Sequence, residues 1–202
     1  MPRIAGQIDL AKTEAILEAT SEAIYERGLA VSMDEIARRA GVSKQTVYNH
    51  YGSKSDLVRA LIARRTDSIT AALEVPGATE RPHDALADYA RALLETILMP
   101  RGVTLIRLIV ASVAGEPDLA QEIFKGGLSA SRAKLSAFLA KETAAGRLAI
   151  DDVNEAADFF AGMVISHRQL NLLLGLPTDL TPARIERIAT EAARRFLRAY
   201  RP

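Results

Sequence analysis

The chain contains no cysteine. That excludes disulfides, a thiol nucleophile, a thiol redox switch and a cysteine-liganded zinc finger. No apolar run approaches the roughly 18 residues of a membrane span. The longest, Leu105–Val113, is interrupted by Arg107 and Ser112. The N-terminal "MPRIAGQIDLAKTEAI" lacks the apolar centre of a secretory signal, so the expected location is cytoplasmic. The arrangements that catalysis needs are also missing: there is no GxSxG, no P-loop, no GxGxxG and no HExxH. The histidines, His50, His83 and His167, stand far apart. Asp151 and Asp152 are adjacent carboxylates, but they stand where a helix begins, and capping and the helix dipole account for them. The expectation is therefore no catalytic residue, no cofactor and no metal site. Internal repeats and low-complexity segments are absent as well.

What is present is a chain of 202 residues, 49% hydrophobic and 25% charged, the composition of an ordinary globular protein of one large domain or two small ones. The net charge of +1 hides an asymmetry. Residues Ile36–Arg65 hold seven Lys/Arg against one acid, Asp56, whereas Thr66–Ala183 hold ten bases against fifteen acids. A basic segment beside an acidic body fits a polyanion partner for one part of the chain only. Chance clustering on a solvated face is the competing reading.

Breakers and caps divide the chain into helices, and no alternation long enough for a strand occurs. A first helix over about Asp9–Arg27 stops at Gly28. Ser32-Met-Asp-Glu35 reads as a capping box in which the glutamate turns back to the serine amide. It opens a short helix, Met33–Ala40, closed by Gly41. Ser43 caps a second short helix, Lys44–Tyr51, and Ser53 opens a longer one to about Glu74. "EVPGATERP" then reads as a linker and a boundary between lobes. Helices follow over about Pro82–Met99, Arg101–Ala114, Pro117–Lys125, Leu128–Ala145, Asp152–Leu174 and Thr181–Tyr200.

Two short helices joined by about three residues containing a glycine form the helix-turn-helix pattern. Ile36, Ala37, Ala40, Val42, Val47 and Leu57 supply its small core, and Val47 is the only aliphatic residue inside the second helix. A helix that short is marginal alone. Its remaining residues, among them Lys44, Gln45, Thr46, Tyr48, Asn49 and His50, are donors and acceptors suited to base edges and phosphates. The surface they fit is the major groove of DNA.

On these residues the stretch from "ILEATSEAIYERG" through "VSMDEIARRAGVSKQTVYNHYGSKSDLVRAL" resembles the DNA-binding lobe of the TetR family of bacterial transcriptional regulators. The body, in "LIRLIVASVAGEPDLAQEIFKGG" and "GRLAIDDVNEAADFFAGMV", is similar to the AefR-like subgroup. The resemblance implies that Tyr48 and Lys54 contact phosphates, that Lys44, Gln45 and Asn49 face bases, and that Thr46 and His50 flank them. Ser32 and Ser43 are caps that also lie near phosphate. Tyr51 stands where the family packs an aromatic side chain inside.

The resemblance further implies that the second lobe dimerises and holds a small-molecule effector, and the apolar lining of its candidate pocket suggests one that is apolar or aromatic. The sequence supports dimerisation by itself. In the last helix Ile185, Ile188, Ala189, Ala192, Ala193, Phe196 and Leu197 follow helical spacing. The helix before it carries two stripes, Val153, Ala157, Phe160, Val164 and Phe159, Met163, Leu170, Leu173, so it needs two neighbours, of which one can be a symmetry mate. A fully buried helix in a monomer is the other reading. Candidate pocket residues are Tyr89, Leu93, Ile97, Leu105, Leu108, Phe124, Phe138, Phe159, Met163, His167 and Asn171, all of which also suit plain core. His167 and Asn171, four apart, are the polar exceptions. The expected fold is all-α, with about nine to ten helices. A helix-turn-helix lobe over 1–56 is followed by an effector-binding and dimerisation lobe over 57–202. The expected function is a homodimeric regulator, a repressor at a pseudo-palindromic double-stranded DNA operator, released by its effector. Alternatives are a non-specific architectural DNA binder, against which the acidic body argues, and a helical enzyme.

Overall fold

The computed structural model describes residues 5–115 and 117–202. The first four residues of the expected N-terminal lobe lie outside them. The described residues form α1 Ala5–Arg27, α2 Met33–Arg39, α3 Lys44–His50, α4 Lys54–Glu74, α5 Pro82–Leu98, α6 Pro100–Ser112, α7 Pro117–Phe124, α8 Ala130–Ala144, α9 Val153–Ile165, α10 Arg168–Leu173 and α11 Pro182–Ala199. Among the described residues there is no strand, and no helix is long and apolar enough to cross a membrane.

The helix starts follow the caps. Ser32 Oγ accepts from the Glu35 amide at 3.2 Å, Ser43 Oγ from the Thr46 amide at 3.0 Å and Ser53 Oγ from the Asp56 amide at 3.1 Å. Asp152 Oδ1 accepts from the amides of Asn154 and Glu155, and Thr181 caps α11. The capping box at Ser32 is only half made. The Glu35 carboxylate, expected to turn back to the Ser32 amide, is engaged instead by Arg27, Arg38 and Arg39. The turn between α2 and α3 is set by Gly41 at φ +66. Its amide donates to the Arg38 carbonyl at 3.3 Å, and the Val42 amide donates to the Ala37 carbonyl at 3.1 Å. That pair of bonds is a Schellman closure, which needs a left-handed residue at this position.

Two expected boundaries are corrected. The gap between Lys125 and Leu128 is not a break: α7 runs on into α8 through a π turn, Lys125–Ser129, so that the eleven segments make ten separate helices. A π turn frees a carbonyl from the regular ladder. The buried Thr66 hydroxyl takes it up, donating to Gly126 O at 3.0 Å. Conversely, the single helix expected over Asp152–Leu174 is broken at Ser166, whose φ of 52 and ψ of −155 leave the helical region. Nothing local in "MVISHRQL" marks a stop. The Arg168 guanidinium donates to the Val164 carbonyl at 3.1 Å, so a cation closes the α9 C-terminus.

Packing divides the chain into two units, 1–64 with 104–123, and 65–103 with 124–202. The Pro/Gly stretch at 74–82, read as a boundary, lies wholly inside the second unit. In the first unit Ile16, Ile36, Val47, Leu57 and Leu61 share a core with Leu105 and Ile123. In the second, α5 packs on α11 and α9, and α8 packs on α9. Tyr89, Phe160, Phe196 and Tyr200 run through it as a chain of ring contacts with centroids 6.1, 5.1 and 4.7 Å apart. Gly102 allows the sharp turn from α5 into α6, since a Cβ there would sit 2.1 Å from the Thr96 carbonyl oxygen.

The Tyr89 hydroxyl is buried and lies 3.0 Å from Ser131 Oγ, itself buried. Burial pushes the Tyr89 ionisation upward, because the phenolate loses its hydration. A raised folded value gives a contribution that is complete below about pH 10, the ordinary tyrosine value, and is lost as pH rises further. Tyr89→Phe should therefore cost about 1 kcal/mol at pH 7, from the lost hydrogen bond, and the deficit should shrink at pH 11. Urea unfolding at the two pH values checks this; equal deficits would contradict it.

Candidate nucleic-acid interface

The helix α3 is held by one side chain. Val47 is fully buried; Lys44, Gln45, Tyr48 and Asn49 are exposed, and Thr46 and His50 are half-buried. Its position comes from the Ser43 cap, the Gly41 turn and the burial of Val47. Ser32 and Ser43 are both exposed at the starts of α2 and α3, as caps.

The exposed polar groups are already arranged by contacts within the unit. Gln45 Nε2 donates to Asn49 Oδ1 at 2.7 Å, linking two expected base-facing residues. Ser43 Oγ and Thr46 Oγ1 lie 2.8 Å apart. Lys44 Nζ lies 2.8 Å from Asp34 Oδ1 and 5.8 Å from the centre of the Tyr48 ring. The Asp34 carboxylate raises the Lys44 ammonium above the usual lysine range by hydrogen bond and charge. His50 is turned toward α1: its Nδ1 lies 3.4 Å from Thr13 Oγ1, and its ring lies tilted against Tyr51. Tyr51 is half-buried against the core, and burial raises its hydroxyl. Lys54 Nζ, at the start of α4, donates to the Leu29 carbonyl at 2.5 Å. Asp34, Thr13 and Leu29 were missed from the sequence, since each meets its partner only through the fold.

The charge of the basic segment is largely compensated in space by acids from outside it. Arg39 pairs with Glu26 and Glu35, Arg64 with Glu14 and Glu18, Arg59 with Glu122, and Lys44 with Asp34. Lys54 meets a backbone carbonyl rather than a carboxylate.

The expected effector residues divide between the two packing units. Leu105 is buried in the core of the first unit, and Leu108 packs against that core. Tyr89, Leu93, Ile97 and Phe138 are buried in the second unit. Phe124, Phe159 and Met163 are 49%, 56% and 41% exposed. His167, expected inside a long helix, is the exposed cap residue of α10, with Asn171 half-buried one turn on. Of the two stripes on α9, Ala157, Phe160 and Val164 are buried, while Phe159 and Met163 face outward.

Residues 16–61 match the profile described as bacterial regulatory proteins, tetR family, and residues 84–202 match the AefR-like transcriptional repressor, C-terminal domain. The chain belongs to the TetR family. Among curated relatives, it is 32% identical over 106 residues to the transcriptional repressor LfrR of Mycolicibacterium smegmatis, covering 52% of this chain and 54% of that one. With the transcriptional activator FasR of the same organism it shares 47% identity over 55 residues, 27% of this chain and 25% of that one. The chain thus spans about a quarter to about half of the length of these two. Solved structures align along nearly all of it. A TetR-family regulator from Mesorhizobium loti superposes with a TM-score of 0.75 at 25% identity, covering 96% of this chain and 98% of that one. The flavonoid-responsive regulator FrrA gives 0.68 at 35% identity, covering 95% and 97%.

In this TetR-family chain the first turn of α3 depends on one hydroxyl. Ser43→Ala should destabilise the protein by about 1 kcal/mol, and Ser43→Gly by a few tenths. Denaturant midpoints check this. An unchanged midpoint for Ser43→Ala would mean that the side-chain oxygen contributes nothing to the cap.

Proposed function

We propose that the chain is a homodimeric, sequence-specific DNA-binding transcriptional regulator, acting as a repressor that a small effector releases from a pseudo-palindromic operator. The observation that carries this reading is α3: one buried valine, and an outer surface of Lys44, Gln45, Tyr48 and Asn49 on a capped, rigidly turned helix. Residues 1–56 are the DNA-binding segment and 57–202 the segment for effector and dimer. The spatial neutralisation of the basic segment argues against an architectural binder, which needs an unpaired basic surface. Tyr48 and Lys54 contact phosphate; Lys44, Gln45 and Asn49 face bases. His50, tied toward α1, serves as a flank.

Dimerisation is supported by the outward stripe of α9 and α10. Phe159 and Met163 on α9 and Leu170 on α10 are exposed on a single chain, while Leu173 of the same expected stripe is half-buried. A second copy covers the stripe and places two α3 helices on half-sites about 34–36 Å apart. The effector is small and apolar or aromatic, in keeping with a flavonoid-responsive relative and with a fold neighbour, SmeT, solved with triclosan. Its walls come from Tyr89, Leu93, Ile97 and Phe138, with the Tyr89–Ser131 pair as the polar feature. Helix α4 contributes residues to both packing units, so effector binding acts on operator affinity through it, by favouring the released state.

Fluorescence anisotropy on duplex DNA separates the roles. Lys54→Ala should weaken binding to all duplexes alike and lower the salt slope by about one per monomer. Asn49→Ala should relax preference at one base-pair position by about 1–3 kcal/mol. A Lys54→Ala loss confined to one base position would contradict the phosphate role. Phe159→Glu with Met163→Glu should convert a dimer to a monomer by sedimentation; an unchanged dimer would place the interface elsewhere.

A further inference from the structure

We propose that Asp34, on α2, is a specificity-determining residue that acts through Lys44. It fixes the Lys44 ammonium at the front of α3 and cancels its charge, which turns that lysine from a phosphate anchor into a reader of a base edge. The inference rests on the DNA-binding reading above.

Asp34 stands ten residues before Lys44, at the second position of α2, and only the turn through Gly41 brings the two together. Both carboxylate oxygens reach the ammonium, Oδ1 at 2.8 Å and Oδ2 at 3.0 Å. The Tyr48 ring also approaches it, with its centre at 5.8 Å. The ammonium is thus met by two groups, one carboxylate and one ring, on the surface assigned to DNA. Fold stability does not account for the arrangement. Both side chains are 60% exposed, and pairs so exposed contribute little. The dipole of α2 favours an acid in its first turn, but that alone does not require the contact with α3 that this carboxylate makes.

On a DNA-facing surface the pair changes what lysine does. An unpaired ammonium seeks the nearest phosphate whatever the sequence, and each such contact adds to non-specific binding. The Asp34–Lys44 pair brings no net charge. Lys44 still has three N–H donors, and those that Asp34 does not take can meet a directional acceptor, guanine O6 or N7 being the matching one. Where the duplex offers no acceptor at that position, Asp34 faces base and phosphate oxygens with nothing gained in return. The carboxylate is then a repulsive element against wrong sequences, the second half of specificity.

The test uses the full-length protein, Asp34→Asn, Lys44→Ala and the double variant. Each is selected against a random-sequence duplex pool, then titrated with the recovered duplex and a scrambled one at several salt concentrations. Asp34→Asn should bind the scrambled duplex about tenfold tighter at low salt, and its salt slope should steepen by about 0.9 per monomer as Lys44 turns to a phosphate. Base preference should flatten about tenfold at one symmetric position. In the Lys44→Ala background, Asp34→Asn should leave base preference where Lys44→Ala alone puts it. A merely structural carboxylate would move neither slope nor preference. The proposal is overturned if Asp34→Asn keeps the wild-type preference and slope, or if it shifts preference further when Lys44 is absent. If the wild type recovers no duplex in preference to the scrambled one, the DNA-binding reading itself fails, and this inference with it.

Discussion

One buried side chain supports the functional face. Val47 is the sole residue of α3 in the core, where it joins Ile36, Ala37 and Leu57. A seven-residue helix has too few internal hydrogen bonds to persist alone. Its existence rests on that anchor, the Ser43 cap and the left-handed turn at Gly41. Because a single position does the packing, the others are released from the core and can carry chemistry. The same economy explains why the outward residues bond to one another. Gln45 to Asn49 and Lys44 to Asp34 limit side-chain freedom before any partner arrives, which reduces the ordering cost of recognition.

The second theme is charge. Counted along the chain, residues 36–65 are strongly basic; in space, Glu14, Glu18, Glu26, Asp34, Glu35 and Glu122 pair with most of those cations. A surface neutralised in this way attracts nucleic acid weakly over its whole extent. It leaves directional contacts and a few charges, such as Lys54, to decide where the protein settles. On the proposed reading, in which one operator is found among many competing sites, low background attraction serves discrimination.

Much of this was legible because it is local. Ser32, Ser43, Ser53 and Thr181 mark helix starts, and Gly28, Gly41 and Gly175 mark stops, through bonds that span three to five residues. The period of Ile185, Ala189, Ala192, Ala193 and Phe196 likewise announces the buried face of α11. What escaped depends on contacts distant in sequence. The glycines at 126 and 127 look like a break, yet the helix runs on through a π turn, where Thr66, sixty residues away, donates to the Gly126 carbonyl. Ser166 has no breaker beside it, and α10 takes its direction from packing on α5. Residues 104–123 read as part of the large lobe but pack with the first unit, since Leu105 and Ile123 complete its core. Within the site, residue types pointed to DNA, while the partners that orient them, Asp34 and Thr13, carry no signal of their own.

On the proposed reading, the α3 surface recognises a defined sequence as part of a two-fold dimer. Selection of the purified protein against fragmented DNA of its source genome, with sequencing of the retained fragments, tests it most directly. Sharp enrichment of a pseudo-palindrome whose half-sites lie about one helical turn apart is the expected result. Retention without a motif that fades steadily with salt, or no retention even at low salt, would contradict this reading.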